Sequence, residues 1–245
     1  LSNKMNIVFL APLKSVGGHA LISKILWKFL KERHNVFEFD LSISSDHNGK
    51  LSLKRILEVL KIYHFLLKNK YSADVFYLTI SQSFFGCLKD ILIYIILFDR
   101  LDKLVIHLHG GSIGIKLFSK YKIIKKINYF FYKKIKKVII SGDSHYPIFS
   151  KKINEKIDIV PNFAPNYMFS NLKMIRTKFF EAKKIKILYL GNMFPEKGYM
   201  NLLNAFNLID KSIINSLRLD FAGKFYNSKL HMEFIKKLDK YKNIF

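Results

Sequence analysis

The chain of 245 residues holds one cysteine, Cys87, and a lone thiol closes no internal disulfide. No Cys/His cluster has zinc-site spacing either, so neither a disulfide scaffold nor a zinc module is expected. A reduced, cytoplasmic compartment is the simple reading. Acidic residues are few, 18 against 42 lysines and arginines, for a formal net charge of +24. Arginine is itself scarce, with only five: Arg33, Arg55, Arg100, Arg176 and Arg218. Because arginine is the residue that pairs bidentately with phosphates and base edges, this scarcity argues against nucleic-acid reading, and no nucleic-acid-binding module occurs. The longest apolar run, residues 91–98, is fenced by Asp90 and Asp99 and falls far short of the ~18 residues a bilayer span needs. No basic segment followed by an apolar core opens the chain, so neither a span nor export is expected. Three phosphate or nucleophile motifs are missing as well: G-x-G-x-x-G, G-x-x-x-x-G-K-[ST] and G-x-S-x-G. Their absence excludes the common dinucleotide fingerprint, a P-loop NTPase and a hydrolase elbow.

What is present is a large apolar content, 50% of residues, in an alternating order. Residues 6–11 (NIVFLA), closed by Pro12, read as a fully buried parallel strand. A Gly17-Gly18 loop leads into a helix over 19–32, with Ile22, Ile25, Leu26 and Phe29 on its apolar stripe. A strand over 36–41 and a helix over 51–68 follow, the latter with Leu53, Ile56, Leu57 and Leu60 inward. Strands are expected over 74–80, 103–109, 138–141 and 157–160. Between them lie helices over 84–99, over a basic stretch from 114 to 134, and from near Ser144. Residues 1–163 therefore read as one α/β domain with a parallel sheet. Residues 164–184, following Pro161-Asn162, read as a linker with few aliphatics. A second βαβ unit occupies 185–245: strand 185–190, helix 199–210, strand 217–222 and helix 228–240. The 243–245 segment reads as the opening of another strand, and Met5 stands directly before the first one, so a piece of a longer protein is expected.

In an open parallel sheet, ligands sit at the carboxyl ends of the strands, where glycine lets backbone approach and helix N-termini offer unpaired N–H groups. That places Gly17, Gly18, His109, Gly110, Gly111, the 191–198 loop and Gly223-Lys224 in view. Asp40 ends the second strand, where a ribose-binding acid would stand. His107 and His109 are two apart on a strand and share a face. With no third ligand nearby in sequence, no metal is expected there. Lys197 stands just before Gly198, where a helix begins, and adds a full charge to the positive helix end, which suits a diphosphate. The bland alternatives are a histidine bonded to neighbouring backbone and a solvated loop lysine.

Taken in order, the segments Asn6-Ile-Val-Phe-Leu-Ala-Pro through Gly17-Gly18-His19, Leu108-His109-Gly110, Val138-Ile-Ile-Ser141 and Ile159-Val-Pro-Asn162 resemble family 4 glycosyltransferases. So do Ile187-Leu-Tyr-Leu-Gly191 through Glu196-Lys197-Gly198, and Leu217-Arg-Leu-Asp-Phe-Ala-Gly223. The resemblance implies an α/β fold of GT-B type, two Rossmann-like domains facing a cleft, here with the second incomplete. It implies transfer of a sugar, with retention, from a nucleotide-sugar donor to a cell-envelope glycan or lipid-linked acceptor. No cofactor is implied, since the nucleotide-sugar is a substrate. Carried over by position, His109 matches the histidine near the reacting sugar, and Lys197 the lysine that contacts the donor diphosphate. Gly191 ends the strand before that loop, and Gly17, Gly18, Gly110 and Gly223 match its glycine turns. Where many members carry arginine after Gly191, this chain has Asn192, which donates a hydrogen bond but no charge. The family's Glu-x7-Glu region would lie beyond Phe245, so the chain by itself is expected to be inactive.

The segment from Gly114 to Lys137 contains no acid. Lys122, Lys125, Lys126, Lys133 and Lys134 interleave there with apolar residues, the pattern of a helix lying on an anionic membrane surface. Peripheral attachment at the inner face of the membrane is one expectation; the other is that these apolar residues pack on the sheet while the lysines face water. The competing reading of the whole chain is a non-catalytic remnant, or a membrane-surface module, that keeps the acceptor domain only.

Overall fold

Six short strands among the described residues lie side by side in one parallel sheet: β1 (Asn6–Ala11), β2 (Asn35–Asp40), β3 (Val75–Thr79), β4 (Leu104–Leu108), β5 (Lys137–Ile140) and β6 (Ile157–Ile159). The computed structural model describes residues 4–14, 17–42, 53–110, 113–149, 151–164, 166–182, 184–225 and 227–238. Gly111 and the expected strand at 243–245 lie outside the described residues. The strand order is β2-β1-β3-β4-β5-β6, so the chain leaves β1 in one direction and returns past it to β3. That reversal opens the crevice in which doubly wound sheets bind ligands.

Side-chain alternation gives the sheet two unlike faces. Val8, Leu10, Phe76, Leu78, Leu104, Ile106, Val138 and Ile140 point into the larger core. This is the face covered by helices α2 (Leu53–Asn69), α3 (Phe84–Ile96) and α4 (Lys122–Tyr132). Phe9, Ala11 and Tyr77 point the other way, against Leu26, Trp27 and Leu30 of α1 (Gly18–Lys31). In register, Thr79 pairs with His107 and His107 with Ile139, so His107 and His109 join the α1 side.

The chain divides into two compact units, 1–163 and 164–245. The second contains a parallel pair, β7 (Ile185–Leu190) and β8 (Leu217–Ala222), with helices α5 (Leu172–Phe180), α6 (Tyr199–Phe206), α7 (Lys211–Ile214) and α8 (Ser228–Leu238). Tyr199, Leu203, Phe206, Leu219 and Phe234 form its core.

Within residues 164–184, read as a linker, α5 forms, and the Asn171 side chain accepts from the Lys173 N–H and caps it. Three local expectations differ from the structure. The basic stretch is not one helix, since a π-type turn over Ile113–Phe118 precedes α4. Tyr121, with φ −117°, starts the helix anew while its ring packs on Phe84. Near Ser144 the chain makes a 3-10 helix, Asp143–Ile148, which contains Pro147 and so lacks one helical donor. In α2, Ile56, Leu57 and Leu60 face out, while Ile62 and Leu66 are buried. Apolar residues surround that helix, so periodicity alone does not fix its inner face.

Candidate active site

In the first unit the candidate residues gather at the carboxyl ends of β1, β3 and β4. The loop after β1 is held by Asp40, whose Oδ1 accepts from the Leu13 N–H at 2.8 Å and the Ser42 N–H at 2.9 Å. Burial would raise this carboxyl, but hydrogen bonds from Ser42, Leu13 and Lys14 outweigh it and hold its pKa below the usual value. Asp40 therefore acts as a fastener for the loop. After β3, Asp90 plays a similar part: its carboxylate accepts from the Ser81 N–H at 2.6 Å and pairs with Lys89.

His109 leaves the end of β4 and stacks on His107, ring centroids 3.8 Å apart. On its other side lies His19 of the first turn of α1, at 4.1 Å. The Tyr77 hydroxyl and His107 Nδ1 are 2.6 Å apart, and Tyr77 in turn stacks on Phe9 at 4.6 Å. A continuous column thus runs from the core to the start of α1. Burial lowers the pKa of His19 and His107 to about 4. In His109 burial, and then the neighbouring imidazoles His107 and His19, take it lower still, to about 2. All three rings are neutral at pH 7. Burial likewise raises the Tyr77 phenol, so Tyr77 keeps its proton beside the neutral His107 ring.

Among the described residues, His107 Nε2, His19 Nε2 and both nitrogens of His109 are buried without a hydrogen-bond partner. No group of three His, Cys, Asp or Glu side chains among the described residues could hold a metal ion. The column is suited to hydroxyl groups, which both donate and accept as neutral imidazoles do.

The glycines here serve different ends. A Cβ on Gly17 or Gly18 would meet nothing within 4 Å, so the entrance to α1 is open; Gly17 has φ +152°, which L residues rarely adopt. A Cβ on Gly110 would come within 2.9 Å of the Gln82 amide, the end of a flexible side chain that can turn aside.

In the second unit, Gly191, Asn192, Lys197 and Gly223 group at the carboxyl ends of β7 and β8. The Gly191 N–H donates to the Ala222 carbonyl at 3.0 Å and the Met193 N–H to that of Lys224 at 3.0 Å. The two loops run so close that a Cβ on Gly223 would collide with the Gly191 carbonyl oxygen. Lys197 ends a 3-10 turn, Pro195–Lys197, and its side chain is exposed. Gly198, at φ +75°, then turns the chain into α6, a left-handed conformation that favours glycine. Beside Gly223 lies a recess of about 470 Å³ whose lining includes Met193, Phe225, His231 and Phe234.

Of the expected surface lysines, Lys122, Lys126, Lys133 and Lys134 are exposed and Lys125 is half-buried over the Tyr129 ring. Sequence reasoning missed His19 and Tyr77 as members of the histidine column. Tyr77 carries a usable signal, since it shares the His107 face two strand positions before the end of β3. His19 carries only its place directly after Gly17-Gly18.

No family model and no curated protein matches the sequence. Solved structures do. HepE of Anabaena, solved in complex with UDP and glucose, superposes with a TM-score of 0.60 at 16% identity, covering 98% of this chain and 68% of HepE. Sucrose-phosphate synthase of Thermosynechococcus elongatus superposes with a TM-score of 0.66 at 10% identity, covering 99% of this chain and 70% of the synthase. The fold is α/β, Rossmann-like and of GT-B glycosyltransferase type.

Proposed function

We propose that the chain is a glycosyltransferase of the family 4 kind, acting in polysaccharide biosynthesis. It moves a sugar, with retention, from a nucleotide-sugar donor to a cell-envelope glycan or lipid-linked acceptor. The observation that carries this reading is the column of neutral histidines, His107, His109 and His19, at the strand ends of a GT-B fold. Neutral imidazoles both donate to and accept from hydroxyl groups, and the likeness to a protein solved with UDP and glucose supports a nucleotide-sugar as the ligand class. In this reading His109 hydrogen-bonds the reacting sugar as a neutral imidazole. Lys197, at the positive end of α6, meets the diphosphate with Gly191 and Asn192, and its charge offsets the charge that develops as the glycosidic bond breaks. Among the described residues no helix is long and apolar enough to cross a membrane. The lipid-linked acceptor is instead reached from the inner surface, with Lys122, Lys125, Lys126, Lys133 and Lys134 drawn to anionic lipid.

Calorimetric titration with UDP-glucose tests the donor half. Binding should weaken about tenfold or more in Lys197→Ala, the worth of one charged hydrogen bond, and stay unchanged in Lys211→Ala. Equal effects at both positions would make Lys197 an ordinary surface lysine and refute its role at the diphosphate.

A further inference from the structure

We infer that the outer face of α3 is an apolar ridge that enters the hydrocarbon edge of an anionic bilayer, and that the lysines of α4 hold it there. This rests on the surface-attachment part of the reading above and adds to it an element that sequence analysis did not single out. On α3, Phe85, Leu88, Leu92 and Ile95 recur at helical spacing and are 38–54% exposed, while Cys87, Ile91, Ile93 and Tyr94 on the other side are buried. The helix has two charged residues, Lys89 and Asp90, and they pair with each other with side chains only 15% and 2% exposed. The outer face of α3 therefore presents no open charge at all. A solvated helix normally turns its polar side to water, so an outward row of phenylalanine, leucine and isoleucine needs another explanation.

The ridge continues. Phe98, just past α3, stacks on Phe130 of α4 with ring centroids 6.3 Å apart, and both are half exposed. The Lys134 ammonium lies over both rings, 5.3 Å from Phe98 and 5.6 Å from Phe130. Ile123 of α4, 75% exposed, adds to the same apolar edge, and α4 carries lysines and no acid. The apolar surface is thus bordered by long cationic side chains that can reach headgroups while their stems lie on the aromatics.

Charge decides what covers it. A second copy of the chain would bring the same lysines against one another, on a molecule already at +24. A bilayer carrying anionic lipid supplies both what the ridge needs, hydrocarbon, and what its border needs, negative charge. Attachment through lysines alone would vanish in high salt, because exposed charges are screened. Attachment through the ridge has an apolar share that salt does not remove.

The test is sedimentation with vesicles of phosphatidylcholine and phosphatidylglycerol at low and high salt. A Leu92→Cys variant, labelled with an environment-sensitive fluorophore, is measured alongside; native Cys87 is buried and stays unlabelled. The parent should bind at low salt and keep a measurable fraction at high salt, and the label should brighten and be quenched by lipids brominated in the acyl chain. Leu88→Gln with Leu92→Gln should lower vesicle affinity about ten- to a hundredfold and abolish the salt-resistant fraction, with the melting temperature held. Binding that is fully reversed by salt, with an unquenched label, would overturn the ridge while leaving the lysine attachment standing. No binding at any salt would overturn both. A dimer in light scattering that the double variant dissociates, with the label shifted in the absence of lipid, would assign the ridge to a second copy and refute the inference.

Discussion

Removing the buried Tyr77–His107 pair should flatten the acid sensitivity of the first unit. His107 is only 4% exposed, and burial lowers its pKa from 6.5 to about 4. The fold therefore prefers the neutral ring, whereas the unfolded chain takes up a proton near pH 6.5. Below that pH the unfolded state binds more protons, so stability is fully present above 6.5 and falls as the pH drops towards 4. At about 1.4 kcal/mol per pH unit for one proton, His107 alone costs the fold about 2 kcal/mol at pH 5. His19 and His109 act in the same direction, discounted because both are partly open to solvent. The perturbation is Tyr77→Phe with His107→Phe, which replaces both hydrogen-bond partners by apolar rings and so leaves no orphaned donor. Urea titration followed by tryptophan fluorescence is the assay, because the single tryptophan, Trp27, lies on α1 beside this cluster and reports the first unit. At pH 7 the double variant should stay within about 1 kcal/mol of the parent, and at pH 5 it should retain about 2 kcal/mol more of its pH 7 stability. Parallel stability curves for the two proteins, or an NMR titration placing His107 near 6.5, would refute the reasoning.

His109→Ala should impair use of the donor sugar while the melting temperature changes little, since the ring nitrogens have no described partner to lose; a large fall in melting temperature would make His109 a packing residue instead. Gly223→Ala should lower the melting temperature of the second unit clearly, through collision with the Gly191 carbonyl, whereas Gly18→Ala, with open space around it, should be nearly neutral. Asp40→Ala strands the Leu13 and Ser42 amides and should cost roughly 1–3 kcal/mol by denaturant titration; a change below measurement would mean that water satisfies both.

Strand positions along the chain were more legible than helix faces. The runs around Val8, Leu78, Ile106 and Ile140 are apolar because both sides of a parallel strand are covered, and such runs have few other readings. Helix α2 shows the limit. Its leucines and isoleucines point in most directions, and only tertiary contact selects Ile62 and Leu66 for the core. The outward α3 row has the same origin: Phe85, Leu88, Leu92 and Ile95 look like core residues to any reading based on hydropathy. Whether an apolar stripe is buried depends on what lies opposite, which a single helix does not encode.

The candidate site divides along the same physical line. Glycines and strand ends are local features, so Gly17, Gly18, His109, Gly191 and Lys197 could be picked out by position. The protonation state of His109 could not, because it depends on two other rings reaching it from α1 and from the strand below. In isolation the sequence offers a histidine that titrates near pH 6.5, ready to act as an acid. Stacked between His19 and His107 and largely buried, the same side chain stays neutral, and a proton placed on it would repel any proton placed on its neighbours. A ring held that way can direct a hydrogen bond but supplies no charge, so in the proposed reading His109 orients a sugar and leaves charge stabilisation of the diphosphate to other groups.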